Sequence, residues 1–160
     1  KEDPEEFRAI LERAIEHLDC GYLDLFGFHG INRDFHVDWI LREGGCMAVV
    51  EELRAAGRIR HVGFSTHGPT PVIVQAINTG RFDYVNLHYQ FVGSYISTAS
   101  GSESGTNLEA LQAAKEQDMG VFIISPVDKG GKLYKPSRKF SRACAAGGLT
   151  PIAFNDLYLW

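Results

Sequence analysis

The sequence predicts an α/β fold built on a parallel sheet, and three observations carry that reading. Four short apolar runs recur along the 160 residues, each separated from the next by a stretch of helical periodicity. Strands and helices in alternation require parallel pairing through crossover connections. Hydrophobic residues make up 44% of the chain and charged residues 22%, which suits one core and one domain spanning residues 1–160. Finally, hydrogen-bonding side chains gather at the C-terminal edge of each apolar run, the side on which parallel α/β proteins bind ligands.

The elements follow in order. Asp3-Pro4-Glu5-Glu6 is a helix start, with Asp as N-cap, Pro at the first helical position and Glu three residues past the cap. Phe7, Ile10, Leu11, Ala14, Ile15 and Leu18 then form one apolar stripe that predicts a helix ending near Asp19. Residues 22–29 are too short for a helix and are expected to be a strand covered on both faces. Met47, Val49, Val50 and Leu53 mark a helix over 46–56, and Gly57 suits the position just past its end. Strand 59–65, a helix over 71–78 closed by Gly80, and strand 84–91 come next. Residues 94–106 are polar and read as a long surface loop. Asn107 is expected to cap a helix carrying Leu108, Leu111 and Ala114, followed by strand 121–125. The rest reads as loop until Thr150-Pro151 opens a last helix.

The polar positions are His29 after the first strand, Ser65, Thr66 and His67 after the second, Asn86 and His88 late in the third, and Ser125, Asp128 and Lys129 after the fourth. Agreement across all four strands argues for a binding face, though not for a reaction. No GxGxxG fingerprint and no P-loop is present. Gly130-Gly131, with Lys129 and Lys132, could let backbone N–H groups approach a phosphate, but a flexible surface turn is the better reading of the sequence alone. Three histidines without a carboxylate at ligand spacing give no metal site. Cys46 and Cys144 are expected to be buried inert thiols, and an odd number of distant cysteines suggests a reducing, cytoplasmic-type compartment. Phe26, Phe28, Phe64, Tyr84 and Tyr89 read as core aromatics. A net charge of -4 offers no electrostatic case for nucleic acid or an anionic membrane. No apolar run approaches the ~18 residues of a membrane span.

The segments Tyr22-Leu23-Asp24-Leu25-Phe26-Gly27-Phe28-His29, Gly57-Arg58-Ile59-Arg60-His61-Val62-Gly63-Phe64-Ser65, Val85-Asn86-Leu87-His88-Tyr89 and Gly120-Val121-Phe122-Ile123-Ile124-Ser125-Pro126 resemble, in order and spacing, four consecutive units of the aldo/keto reductases. That family consists of (β/α) TIM-type barrels that exchange a hydride between NADP (or NAD) and a carbonyl or alcohol. The resemblance implies that these strands are the fourth to seventh of the eight, a partial barrel. It implies that His29 is the active-site histidine that hydrogen-bonds the substrate carbonyl oxygen. Ser65 and Thr66 match the pair that holds the nicotinamide carboxamide, with Thr in place of the usual Asn. Asn86 stands where Gln is usual, and Ile124 where many members stack a Tyr on the nicotinamide. Ser125 and the loop through Lys129 match the segment that contacts the cofactor's pyrophosphate. The stretches after Pro126 and Leu149 look closer to a bacterial-type subgroup that often carries an added iron–sulfur module.

The rest of the family's catalytic set, Asp, Tyr and Lys, comes from strands with no counterpart here. The chain alone is therefore expected not to turn over. Its start at Lys1 suggests a segment of a longer reductase, with the remainder of that chain or a partner subunit covering the open sheet edges. The alternative is a non-catalytic barrel relic serving as a structural subunit or binding module.

Overall fold

A computed structural model describes residues 3–91, 107–127 and 131–160. The chain runs α1 (Pro4–Leu18), β1 (Leu23–Phe28), α2 (Asp34–Leu41), α3 (Cys46–Ala55), β2 (Ile59–Ser65), α4 (Thr70–Asn78), β3 (Tyr84–Leu87), α5 (Leu108–Glu116) and β4 (Gly120–Ile123). A short 3-10 turn at Lys132–Tyr134, α6 (Arg138–Ala146) and α7 (Pro151–Leu159) complete it. The four strands pair in parallel in the order β1-β2-β3-β4, one open sheet with β1 and β4 at its edges. This is the architecture of a partial (β/α) barrel.

Local chemistry explains the boundaries. The Asp3 carboxylate accepts hydrogen bonds from the N–H groups of Glu5 and Glu6 at 2.9 and 3.2 Å, which starts α1. Gly57, one residue past the C-cap Ala56, takes φ +72, a left-handed conformation that glycine adopts without a Cβ penalty. Thr150 caps α7 by accepting from Ala153 N–H at 3.1 Å. The core lies on the helix-covered side of the sheet. There Phe7 stacks on Phe28 at 5.7 Å, and Phe82 closes edge-on against Phe28 and tilted against Phe64. Burying each such ring stabilises by roughly 1.5–3 kcal/mol.

Several expectations change. The first strand is not covered on both faces: Leu25 and Gly27 are exposed, because helices pack on only one side of the sheet. β3 stops at Leu87 rather than running to Phe91, since the His88 carbonyl accepts from Asn107 Nδ2 at 2.8 Å instead of joining the ladder. β4 ends at Ile123, and Ser125 turns the chain with φ +53. Asn107 occupies the N-cap position of α5 but makes no side-chain cap bond. Its own left-handed backbone (φ +54) aims the amide elsewhere, and its Oδ1 accepts from Thr70 Oγ1 at 2.7 Å. Helices α2 and α6 form where no helix was expected. α2 lacks a capping side chain, and α6 buries only Cys144 among largely polar neighbours. Tyr84 is buried but stands outside the core cluster, on the opposite face of the sheet. Cys46 and Cys144 are buried, as expected, while Cys20 is exposed, and no disulfide joins them. The polar stretch 94–106 lies outside the described residues, and no described helix is long and apolar enough to cross a membrane.

Candidate functional site

Strand alternation sends every second side chain to the open face, and the register aligns those positions into rows. One row crosses the sheet as Gly27, Gly63, Tyr84 and Gly120. Two residues further along each strand, toward the C-terminal ends, the next row reads His29, Ser65, Asn86 and Phe122. Above and between these rows opens a cleft of about 390 Å³, lined by Gly27, His29, Ser65, His67, Tyr84, Asn86 and Ile124. Its size falls within the range usual for small-molecule sites.

His29 and Ser65 are joined directly, with Ser65 Oγ 3.0 Å from His29 Nδ1. The same oxygen accepts from Gly30 N–H at 3.2 Å, and the Ser65 carbonyl accepts from the N–H groups of Gly30 and Ile31 at 3.0 Å each. With one hydroxyl lone pair engaged by Gly30, the Ser65 proton is free to point at Nδ1. A neutral imidazole held that way carries its own proton on Nε2. The exit of β1 is thus clasped to the exit of β2, and the clasp fixes the histidine ring.

Of the seven residues singled out in the sequence, the structure brings His29, Ser65, Asn86 and Ile124 to one cleft. Thr66 is placed differently. It is 2% exposed, its hydroxyl donating to the Ile31 carbonyl at 2.7 Å and accepting from Gly68 N–H at 3.0 Å, so it holds the turn and does not line the cleft. Ser125 follows Ile124 at the exit of β4, outside the lining. Lys129 lies outside the described residues. Asn86 and Tyr84 have side-chain polar groups with no hydrogen-bond partner in the protein among the described residues, and both face the cleft. Burial pushes the Tyr84 phenol above its ordinary value of 10.0.

Sequence reasoning missed Gly27, Gly63 and Tyr84 as parts of this site. The signal was present in their spacing, two residues ahead of His29, Ser65 and Asn86, but only the register turns it into a row. A second, more open cleft of about 580 Å³ lies beside Gly131, Lys132, Tyr134 and Lys135, two of them cationic. No group of three His, Cys, Asp or Glu side chains among the described residues could hold a metal ion.

The model of the aldo/keto reductase family matches residues 1–144. Among solved structures, the holo form of the aldo-keto reductase AKR11C1 from Bacillus halodurans superimposes with a TM-score of 0.60 at 18% identity. That match covers 81% of this chain and 38% of the other. An aldose reductase from Giardia lamblia gives a TM-score of 0.60 at 16% identity, covering 92% of this chain and 51% of that one. The chain therefore spans about half or less of the length of these solved structures. None of the curated proteins matches it.

Proposed function

The chain belongs to the aldo/keto reductase family, and from that premise we propose that its cleft holds the nicotinamide end of NADP (or NAD) together with a carbonyl or alcohol substrate. One observation carries the reading: His29, Ser65, Asn86 and Ile124, drawn from four different strand ends, line a single cleft of about 390 Å³. The residues present fit the group. Asn86 offers a side-chain amide that no protein partner engages among the described residues, donor and acceptor together, as a carboxamide requires. Ile124 supplies apolar surface for the ring.

When bound, the nicotinamide supplies or takes up a hydride. The chain's own residues bind and orient. Ser65 holds His29 through Nδ1 and leaves Nε2–H to donate to the substrate oxygen, where negative charge grows during carbonyl reduction. Thr66 fixes the turn that carries Ser65. Ser125 and Lys129 are assigned to the cofactor's pyrophosphate by their match to the family's segment. No residue here matches the family's Asp, Tyr and Lys, so this chain binds the cofactor without turning it over.

Fluorescence titration with NADPH, paired with an assay of carbonyl-dependent NADPH oxidation, tests this. Saturable binding without oxidation is the expected result. Robust turnover by these 160 residues would overturn the account of the missing acid. Absence of binding would overturn the cofactor assignment and favour a non-catalytic structural or binding module.

A further inference from the structure

Tyr84 occupies the cleft in a way that neither core packing nor the cofactor assignment explains. Its row contains three glycines and one large ring. A Cβ at Gly63 would come within 2.5 Å of the Tyr84 ring carbons, and one at Gly27 within 2.9 Å of its hydroxyl. A Cβ at Gly120 would stand 3.2 Å from the Tyr84 Cβ. The ring therefore lies flat across β2 and places its hydroxyl over β1, one row beneath His29. Glycine at 63 leaves room that any other residue would fill, and glycines at 27 and 120 relieve close contacts at the two ends of the same side chain.

The hydroxyl is the unusual part. Tyr84 is 7% exposed, lines the cleft and has no hydrogen-bond partner in the protein among the described residues. Its oxygen is not sealed from solvent, so it takes its partner, as a buried phenol ordinarily has one, from outside the protein. Here the cleft is the space from which one comes. Phe122 stands edge-on to the ring at 5.4 Å, so the aromatic body is braced while the hydroxyl stays open. Among the described residues the lining contains no Lys, Arg, Asp or Glu; the titratable side chains there are His29, His67 and Tyr84 itself. A charged ligand group would lose water there without meeting a fixed counter-charge, whereas a neutral oxygen would not.

We propose that the Tyr84 phenol is a ligand-binding group, donating its hydrogen bond upward from the floor of the cleft to the oxygen of a small neutral carbonyl or alcohol compound. The assignment deepens the function proposed above and rests on it for the class of ligand, while its geometry stands on Tyr84 and the glycine row alone. Burial of the ring keeps the hydroxyl protonated, and so a donor, at neutral pH.

The test uses the chain with two probes, benzaldehyde and NADPH, on the wild type and on Tyr84→Phe, which keeps the ring and removes only the hydroxyl. Benzaldehyde is expected to perturb the tyrosine ultraviolet absorption of the wild type saturably. Its affinity should fall about tenfold in Y84F, the size of one lost hydrogen bond, with the melting temperature unchanged. Equal benzaldehyde affinity in the two proteins, or no saturable binding to the wild type, would overturn the proposal. A wild type that binds benzaldehyde through Tyr84 but does not bind NADPH would support the Tyr84 assignment and defeat the nicotinamide reading, so the two failures are distinguishable.

Discussion

Single residues decide how the site is built, and the decisive ones are small. Gly63 has no side chain because the Tyr84 ring already fills that space, 2.5 Å from where a Cβ would be. Gly63→Ala should therefore force the ring off its seat and cost roughly 1–3 kcal/mol, the usual range for overpacking a tight site. Urea denaturation measures it, and a variant as stable as the wild type would contradict the packing described. His29, Ser65 and Asn86 were legible in the sequence because polar residues at strand ends interrupt otherwise apolar runs. Tyr84 was not. An aromatic inside an apolar strand reads as core, and only pairing with Gly63 and Gly120 reveals that it faces the other way.

At the scale of elements, strong local signals survived and weak ones did not. The Asp3 and Thr150 caps and the glycine at 57 announced α1, α7 and the end of α3 because each acts within one helical turn. α2 escaped because no side chain caps it, whereas α6 does carry a cap, Ser137 Oγ accepting from Phe140 N–H at 3.1 Å, within a segment that otherwise reads as loop. The end of β3 was misplaced for a related reason: it is set by a tertiary tie, the same one that draws the Asn107 amide away from capping α5. Asn107, 3% exposed, links the Thr70 hydroxyl at the start of α4 to the His88 carbonyl just past β3. Asn107→Ala leaves the buried His88 carbonyl and the part-buried Thr70 hydroxyl without this partner. It should destabilise by about 1–3 kcal/mol in chemical denaturation, more than loss of an exposed cap would. A negligible change would show that the tie is dispensable.

For the molecule as a whole, alkaline pH is the sharpest probe of packing. Burial raises the Cys46 thiol above 9.0 and the Tyr84 phenol above 10.0. A hydrogen bond with Tyr158, reinforced by burial, holds the Tyr89 phenol up to about 12. In the unfolded chain these groups ionise at their ordinary values, so the unfolded state releases its protons first. Their share of stability is complete below about pH 9 and is lost as pH climbs through the folded values toward about 12. Urea midpoints measured across that window should decline, and Tyr89→Phe should flatten the upper part of the decline. A midpoint constant to pH 12 would contradict the burial of these groups.

The sheet's register also leaves a trace that other sequences can be searched for. Gly27-x-His29, Gly63-x-Ser65, Tyr84-x-Asn86 and Gly120-x-Phe122 are four dyads of identical spacing, one per strand. A homologous chain that keeps the tyrosine must keep the hydrogen at position 63 and is pressed to keep those at 27 and 120, whereas one that has lost the aromatic is released from that constraint at every strand together. The dyads should therefore vary as a block, making them a compact fingerprint for this architecture in uncharacterised genomes.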